Sequence, residues 1–346
     1  MKPPADAPPN PDFGLIESLN ARIDTALEGL IPADRPYALL DFPHAPNVGD
    51  SLIWMGEVTW FGRHGYPPPC YTCSNLTFSP DQLRRRLGGG TIVLSGGGNF
   101  GDLYPPHQAM REAVLEHFPN HTVVQLPQTI HFESAAARRA AEAKFAAHRH
   151  VTVLVRDEES LAAARALGGR SRLCPDMAFC LGAMPWHPPV DGPVLWMRRR
   201  DKEGADHGGA SPPHGVRMIE WLEDWRTPLL GFYLLLARQL RHRPPLRPAF
   251  QPLLSSLFTP VTRQRVARGV QILGGGRYVI TDRLHGHILA VLMGIPHAVL
   301  DNAYGKVRRF HGCWTESSRL AQWCDTEEQA LTRARAYAAR PEPAFA

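Results

Sequence analysis

What most constrains this chain is a series of short apolar runs, each followed by an amphipathic stretch. Tyr37–Phe42 (YALLDF), Thr91–Ser95 (TIVLS), Thr122–Leu126 (TVVQL) and Val151–Val155 (VTVLV) are rich in β-branched and bulky residues and short enough for buried strands. Between them, Ser51–His64, Pro106–Phe118 and Ser134–His148 carry helical periodicity. Such alternation predicts an α/β fold with a parallel sheet covered on both faces. A helix is expected ahead of it, where Leu15, Ile16, Leu19, Ile23 and Leu27 recur at helical spacing. A proline-rich break at Met184–Pro193 marks the expected linker, and the pattern then resumes. Strands are predicted at Val194–Met197, Tyr278–Thr281 and Ala298–Leu300, and helices at Thr227–Gln239, Val261–Leu273, His285–Met293 and Thr326–Ala339. The expected division is a disordered tail over residues 1–12, an N-terminal domain over 13–185, and a C-terminal domain over 186–346 that ends in a helix.

Composition excludes several classes. A hydrophobic fraction of 44% and a charged fraction of 21% suit a packed globular chain. The formal charge of +5 fits an anionic small molecule or an anionic membrane face, and no basic run with interleaved aromatics points to nucleic acid. Leu229–Ala237 (LLGFYLLLA) is too short to cross a bilayer, but the arginines after it suit the surface of one. Of six scattered cysteines only Cys70 and Cys73 form a CxxC, and they read as ordinary thiols rather than a redox or zinc site. Free-looking cysteines and the lack of an apolar signal core predict a cytoplasmic protein, with contact at the cytoplasmic membrane face as a further expectation.

The polar residues that follow the expected strands are the candidate site. Gly96–Gly98 with Asn99 and Asp102 form a loop where backbone can approach a ligand closely. In Asn47–Asp50, Asp50 either caps the next helix, with Gly49 making the turn, or holds a sugar hydroxyl. His107 and His131 both stand near strand ends and suit proton transfer near neutrality. Arg156 follows a strand and offers a rigid donor fork for an anion. The strongest feature is Thr281–His287 (TDRLHGH), where a strand runs into a helix start. There Arg283, helix amides and the titratable His285 suit phosphate or carboxylate, Gly286 would leave the backbone accessible, and His287 would pack or cap.

NVGD (Asn47–Asp50), GGGNFGDLY (Gly96–Tyr104), LPQTIHF (Leu126–Phe132), VRDEES (Val155–Ser160), PDMAF (Pro175–Phe179) and TDRLHGHILAVLMGIP (Thr281–Pro296) occur in this order. The ordered set, over roughly residues 40 to 310, resembles the polysaccharide pyruvyl transferases. The resemblance implies a GT-B-like fold of two Rossmann-like domains facing a central cleft. It implies transfer of pyruvate from phosphoenolpyruvate, as donor substrate, onto two hydroxyls of a sugar or lipid-linked oligosaccharide, with a cyclic ketal formed and phosphate released. On this resemblance Arg156, Arg283, Leu284 and His285 bind the donor, and Asn47, Asp50, Gly97, Gly98, Asn99 and Asp102 face the acceptor. His285 is the candidate acid, while His107 and His131 both stay open for the second catalytic histidine. No cofactor and no metal are expected. The alternatives are a GT-B glycosyltransferase using a nucleotide sugar, for which no acidic ribose contact is evident, and a non-catalytic envelope-assembly scaffold.

Overall fold

The computed structural model describes residues 9–189, 192–199, 204, 213–221 and 228–339. In chain order the first elements are α1 (Phe13–Leu27), β1 (Tyr37–Leu40), α2 (Val48–Arg63), β2 (Tyr71–Cys73), α3 (Pro80–Leu87), β3 (Thr91–Leu94) and β4 (Gly97–Gly101). Next come α4 (Pro105–His117), β5 (Val123–His131), α5 (Ala135–Ala147), β6 (Val151–Val155), α6 (Glu158–Ala166) and β7 (Arg170–Leu173). Then follow β8 (Val194–Met197), β9 (Val216–Ile219), α7 (Pro228–Arg241), α8 (Arg247–Ser256), α9 (Phe258–Gly274), β10 (Tyr278–Thr281) and α10 (Leu284–Met293). The last are β11 (His297–Val299), α11 (Lys306–Phe310), β12 (Ala321–Trp323) and α12 (Glu327–Ala338).

Among the described residues the strands form two parallel sheets, so the molecule is α/β. One has the order β2-β1-β3-β5-β6-β7, with β4 pairing the far half of β5; the other has the order β12-β11-β10-β8-β9. Every residue of β1, β3 and β6 is buried, which is why these strands read as continuous apolar runs instead of alternating ones. Tyr71, Ile92, Leu94, Val123, Val153 and Phe145 contribute to the core of the first sheet, and Trp196, Tyr278, Ile280 and Ala298 to that of the second.

The chain gathers into two compact units that do not follow its order. One comprises residues 19–180 with 224–266; the other comprises 1–18, 181–223 and 267–346. Residues 224–266 therefore fall with the N-terminal sheet, not with the segment that follows the proline-rich break. Within that break, Met184 N–H donates to Leu292 O at 2.7 Å, so part of the expected linker is docked.

Three expectations change in detail. Of the tail expected to be disordered, residues 1–8 lie outside the described residues. Asn10 and Asp12, by contrast, are tied down: Asn10 Nδ2 donates to Val291 O (2.9 Å) and Leu292 O (3.0 Å), and Asp12 accepts from Arg319 N (2.8 Å) and Ser318 Oγ. The Gly96–Gly98 stretch runs into a strand rather than an open loop. A Cβ at Gly101 would sit 1.7 Å from His131 O, so glycine there serves the close approach of β4 to β5. The strand expected to stop at Leu126 continues to His131 through Pro127, with its register to β6 shifting between Gln125 and Gln128.

Candidate active site

In the unit holding residues 19–180, the carboxyl end of β1 sets the geometry. The strand stops at Leu40, and Asp41 takes a left-handed backbone (φ 69°), a conformation that costs most residues energy and that Asp tolerates. Phe42 locks the turn by donating its N–H to Cys73 O (2.9 Å) and stacking on Phe258 at 3.8 Å between ring centroids. Arg265 ties the next residues, donating to Pro43 O (2.9 Å) and His44 O (3.3 Å). The buried Asp41 carboxylate then accepts from His107 Nδ1 at 2.8 and 2.9 Å. With Nδ1 carrying that proton, Nε2 of neutral His107 is the acceptor, and Asn75 Nδ2 lies 3.3 Å from it. Burial alone would make His107 a weaker base, but the charge and hydrogen bond of Asp41 outweigh it and lift the group above the ordinary histidine range. Burial, then the neighbouring His107, pushes His44 down to about 4, so that ring is neutral at physiological pH. This is an oriented histidine–carboxylate pair with the imidazole edge 19% exposed, able to take or give one proton near neutrality.

The remaining expected residues of this unit divide between that centre and its supports. The N-cap of α2 is Asn47 rather than Asp50: its side-chain oxygen accepts from Gly49 N (2.9 Å) and its amide donates to Asp50 (2.9 Å), whose charge adds to the field raising His107. Gly97, Gly98 and Asn99 lie in β4, where Asn99 Oδ1 accepts from Arg111 (2.9 Å) and Gln128 (3.0 Å). Asp102 accepts from Glu133 N and Ser134 N at 2.8 Å, holding the chain at the start of α5. His131 is the half-buried last residue of β5. Arg156 is 1% exposed, with its guanidinium on Asp176 (2.5 Å) and Thr129 (2.8 Å). Below the glycine run, buried Glu57 accepts from Ser95 Oγ (2.9 Å) and Gly96 N (2.7 Å), and burial raises its carboxyl to about 8.

In the other unit β10 ends at Thr281 and α10 begins at Leu284, which leaves the first amides of α10 without intrahelical acceptors. Arg283 is the N-cap residue; its N–H donates to Thr281 Oγ1 (3.0 Å) and its guanidinium meets Glu220 at 2.5 Å. Asp282 accepts from Arg199 N (2.9 Å), and burial raises its carboxyl to about 6. Leu284 is buried and His285 half-buried in the first turn. Gly286 differs from expectation: it is buried, and a Cβ there would lie 2.5 Å from Thr281 Oγ1, so it serves packing rather than access. His287 packs, as expected, in a chain of buried polar groups. His297 Nδ1 donates to Ile295 O (2.7 Å), so its Nε2 accepts from His287 Nδ1 (2.7 Å), whose Nε2 in turn accepts from Thr315 Oγ1 (2.7 Å). Among the described residues no group of three or more His, Cys, Asp or Glu is placed to hold a metal ion, and all six cysteines are free.

With both sites in view, the comparisons with known proteins decide the family. The profile of the polysaccharide pyruvyl transferases matches residues 47–304, a span that contains His107, Arg156 and Arg283. The chain belongs to the polysaccharide pyruvyl transferase family. It is thus an enzyme. It is similar to pyruvyl transferase 1 of Schizosaccharomyces pombe, 32% identical over 82% of this chain and 70% of that protein. It is also similar to EpsO of Bacillus subtilis, provisionally named a pyruvyl transferase, 30% identical over 90% of this chain and 96% of that one. A functionally uncharacterised protein of Klebsiella pneumoniae shares the fold, with a TM-score of 0.55 at 14% identity, over 89% of this chain and 99% of the other. In this pyruvyl transferase, sequence reasoning passed over Asp41, His44, Asn75, Arg265, Glu57 and Glu220. Asp41 stood inside an apparent strand, and only its backbone sign distinguishes it. Arg265 is far from His107 in sequence, so no local pattern links them.

Proposed function

We propose that this enzyme transfers pyruvate from phosphoenolpyruvate onto two hydroxyls of a sugar in an exopolysaccharide or cell-surface glycan precursor, closing a cyclic ketal. The observation that carries the reading is the His107–Asp41 pair. A hydroxyl must lose its proton as it attacks, and His107 Nε2 is a base of raised affinity held in one tautomer. In the first step the sugar oxygen bonds to C2 of phosphoenolpyruvate while C3 gains a proton and becomes a methyl group. In the second, the neighbouring hydroxyl bonds to the same carbon, the C2–O bond to phosphate breaks, and inorganic phosphate leaves with the electron pair. The two protons lost by the hydroxyls balance those gained by C3 and phosphate.

On the donor side, Arg283 and the first turn of α10 suit a dianionic phosphate, and His285 in that turn is the candidate acid. Arg156 is the second arginine of the donor side, and its pairing with Asp176 and Thr129, like that of Arg283 with Glu220, fixes the orientation of its guanidinium. His107, rather than His131, takes the acceptor role, with Asn47, Asp50, Gly97, Gly98, Asn99 and Asp102 shaping that side. The GT-B-like arrangement, a lipid-linked acceptor and work at the cytoplasmic membrane face belong to the same reading.

The test is release of phosphate from phosphoenolpyruvate in the presence of a glycan panel. Release should depend on acceptor, and His107→Gln should lower kcat by on the order of 10²–10⁴-fold with the thermal midpoint retained. Release that proceeds equally in wild type and His107→Gln would remove the pair from the mechanism.

A further inference from the structure

We propose that the outer face of α7 and α8 is a docking surface for an anionic lipid bilayer. A helix that lies on a protein surface ordinarily buries one apolar stripe and turns a polar one outward. Helix α7 does not. It buries Leu230, Tyr233, Ala237 and Leu240, while Phe232 and Leu235 on its outer side and Leu229 in its first turn are exposed. Helix α8 repeats the pattern, burying Leu254 while Phe250 and Leu253 stay exposed, and Leu246 is exposed just before it. Of the seven exposed large hydrophobic residues among those described, five fall in this pair of helices and a sixth, Leu246, in the short connection between them, with Phe13 the exception. So concentrated an apolar surface marks a partner rather than chance exposure.

Charge identifies the partner. From residue 228 to residue 281 the chain has no Asp or Glu, while Arg238, Arg241, Arg243 and Arg247 lie in or beside the two helices. Arg238, Arg241 and Arg243 are exposed; Arg247 is spent on the end of α7, donating to Leu240 O (2.9 Å) and Arg241 O (2.7 Å). A second copy meeting this face through a two-fold axis would set arginine against arginine with no acid in either helix to relieve them. Anionic headgroups have the complementary charge, and the acyl boundary accepts phenylalanine and leucine without a shaped pocket. No described helix is long and apolar enough to cross a membrane, so α7 would lie along the surface.

The position of α7 gives the contact a purpose, which rests on the lipid-linked acceptor of the reading above. Its buried face reaches the catalytic centre. Tyr233 packs edge-on against Phe42, next to Asp41, and its hydroxyl donates to Ser74 Oγ (2.6 Å), next to Asn75. A single helix, about 10 Å across, therefore separates the exposed apolar face from the residues around His107. A docked enzyme would hold that histidine near the headgroup layer, where the first sugars of a lipid-linked chain lie.

The test is sedimentation of the full chain with vesicles of phosphatidylcholine alone or mixed with phosphatidylglycerol. Wild type should bind the mixed vesicles and bind the neutral ones weakly. Phe232→Ser with Leu235→Ser should weaken binding by about tenfold or more, and Arg241→Gln with Arg243→Gln by about fivefold per charge, mainly on mixed vesicles. Both double variants should keep the wild-type thermal midpoint and wild-type phosphate release with a soluble acceptor. Absence of binding to either vesicle, or binding unchanged by the Phe232/Leu235 variant, would overturn the proposal. So would light scattering that shows a wild-type dimer turned to monomer by that variant. Vesicle binding involves no turnover, so its failure leaves the assigned chemistry standing, and failure of the chemistry leaves the surface intact.

Discussion

Asp41 shows how much rests on one backbone angle. With ordinary β geometry the residue after Leu40 would continue the strand; at φ 69° it turns its carboxylate onto His107 instead. The histidine was legible in the sequence as one of two candidates, because proton-transfer residues cluster after strand ends. Its carboxylate partner was not, because YALLDF reads as a single apolar run and the sign of φ is invisible in it. The pairing sets a direction for the pH profile. If His107 acts as base, it must be neutral, and Asp41 raises its proton affinity, so activity should climb with pH through a value above the ordinary 6.5. Asn accepts the same left-handed backbone, so Asp41→Asn should fold. It should move the acidic limb of the kcat profile to lower pH and reduce kcat by on the order of a hundredfold. An unshifted limb would mean that Asp41 supports only the fold.

At the scale of elements, the turn from β10 into α10 was readable because the YVIT strand and the helix after it each keep their period. The reason for Gly286 was not readable, since its limit is the Thr281 hydroxyl behind it. β4 and the far half of β5 escaped for a related reason: glycines and a proline usually interrupt strands, yet here they permit close pairing and a register shift. The buried histidines joining α10, β11 and the single π-helical turn at His311–Thr315 were partly legible: His287 was expected to pack, but its partners lie on other elements. Burial lowers His297 to about 4 and holds His287 well below the ordinary value too. Unfolded, both would take up protons near pH 6.5, so the stability they favour is complete above that value. It should fall with acid, by about 1.4 kcal/mol per pH unit for His297 as the pH drops from 6.5 toward 4, with His287 adding in the same direction. Denaturant midpoints measured across that window should show a shallower slope in His297→Gln than in wild type; equal slopes would contradict this account.

For the whole molecule, the alternation of strands and helices was enough to predict an α/β fold with parallel sheets, and the family was legible from six motifs in order. The division of the chain was less so. Residues 224–266 lie after the proline-rich break yet gather with the first sheet, because Tyr233, Arg265 and Phe258 hold them to Phe42–His44. Contacts of that sequence separation leave no local pattern. The proposed catalytic centre is thus made from distant stretches of chain, with Asp41, Asn75, His107 and Arg265 converging on one loop. The proposed reaction adds glycan hydroxyls to phosphoenolpyruvate with protonation at C3. Running the reaction in deuterated water and recording the NMR spectrum of the glycan tests it directly. The expected product is a ketal whose methyl group carries one solvent-derived deuteron; a glycan that keeps an unsaturated enolpyruvyl group, or gains no pyruvate at all, would rule this reaction out.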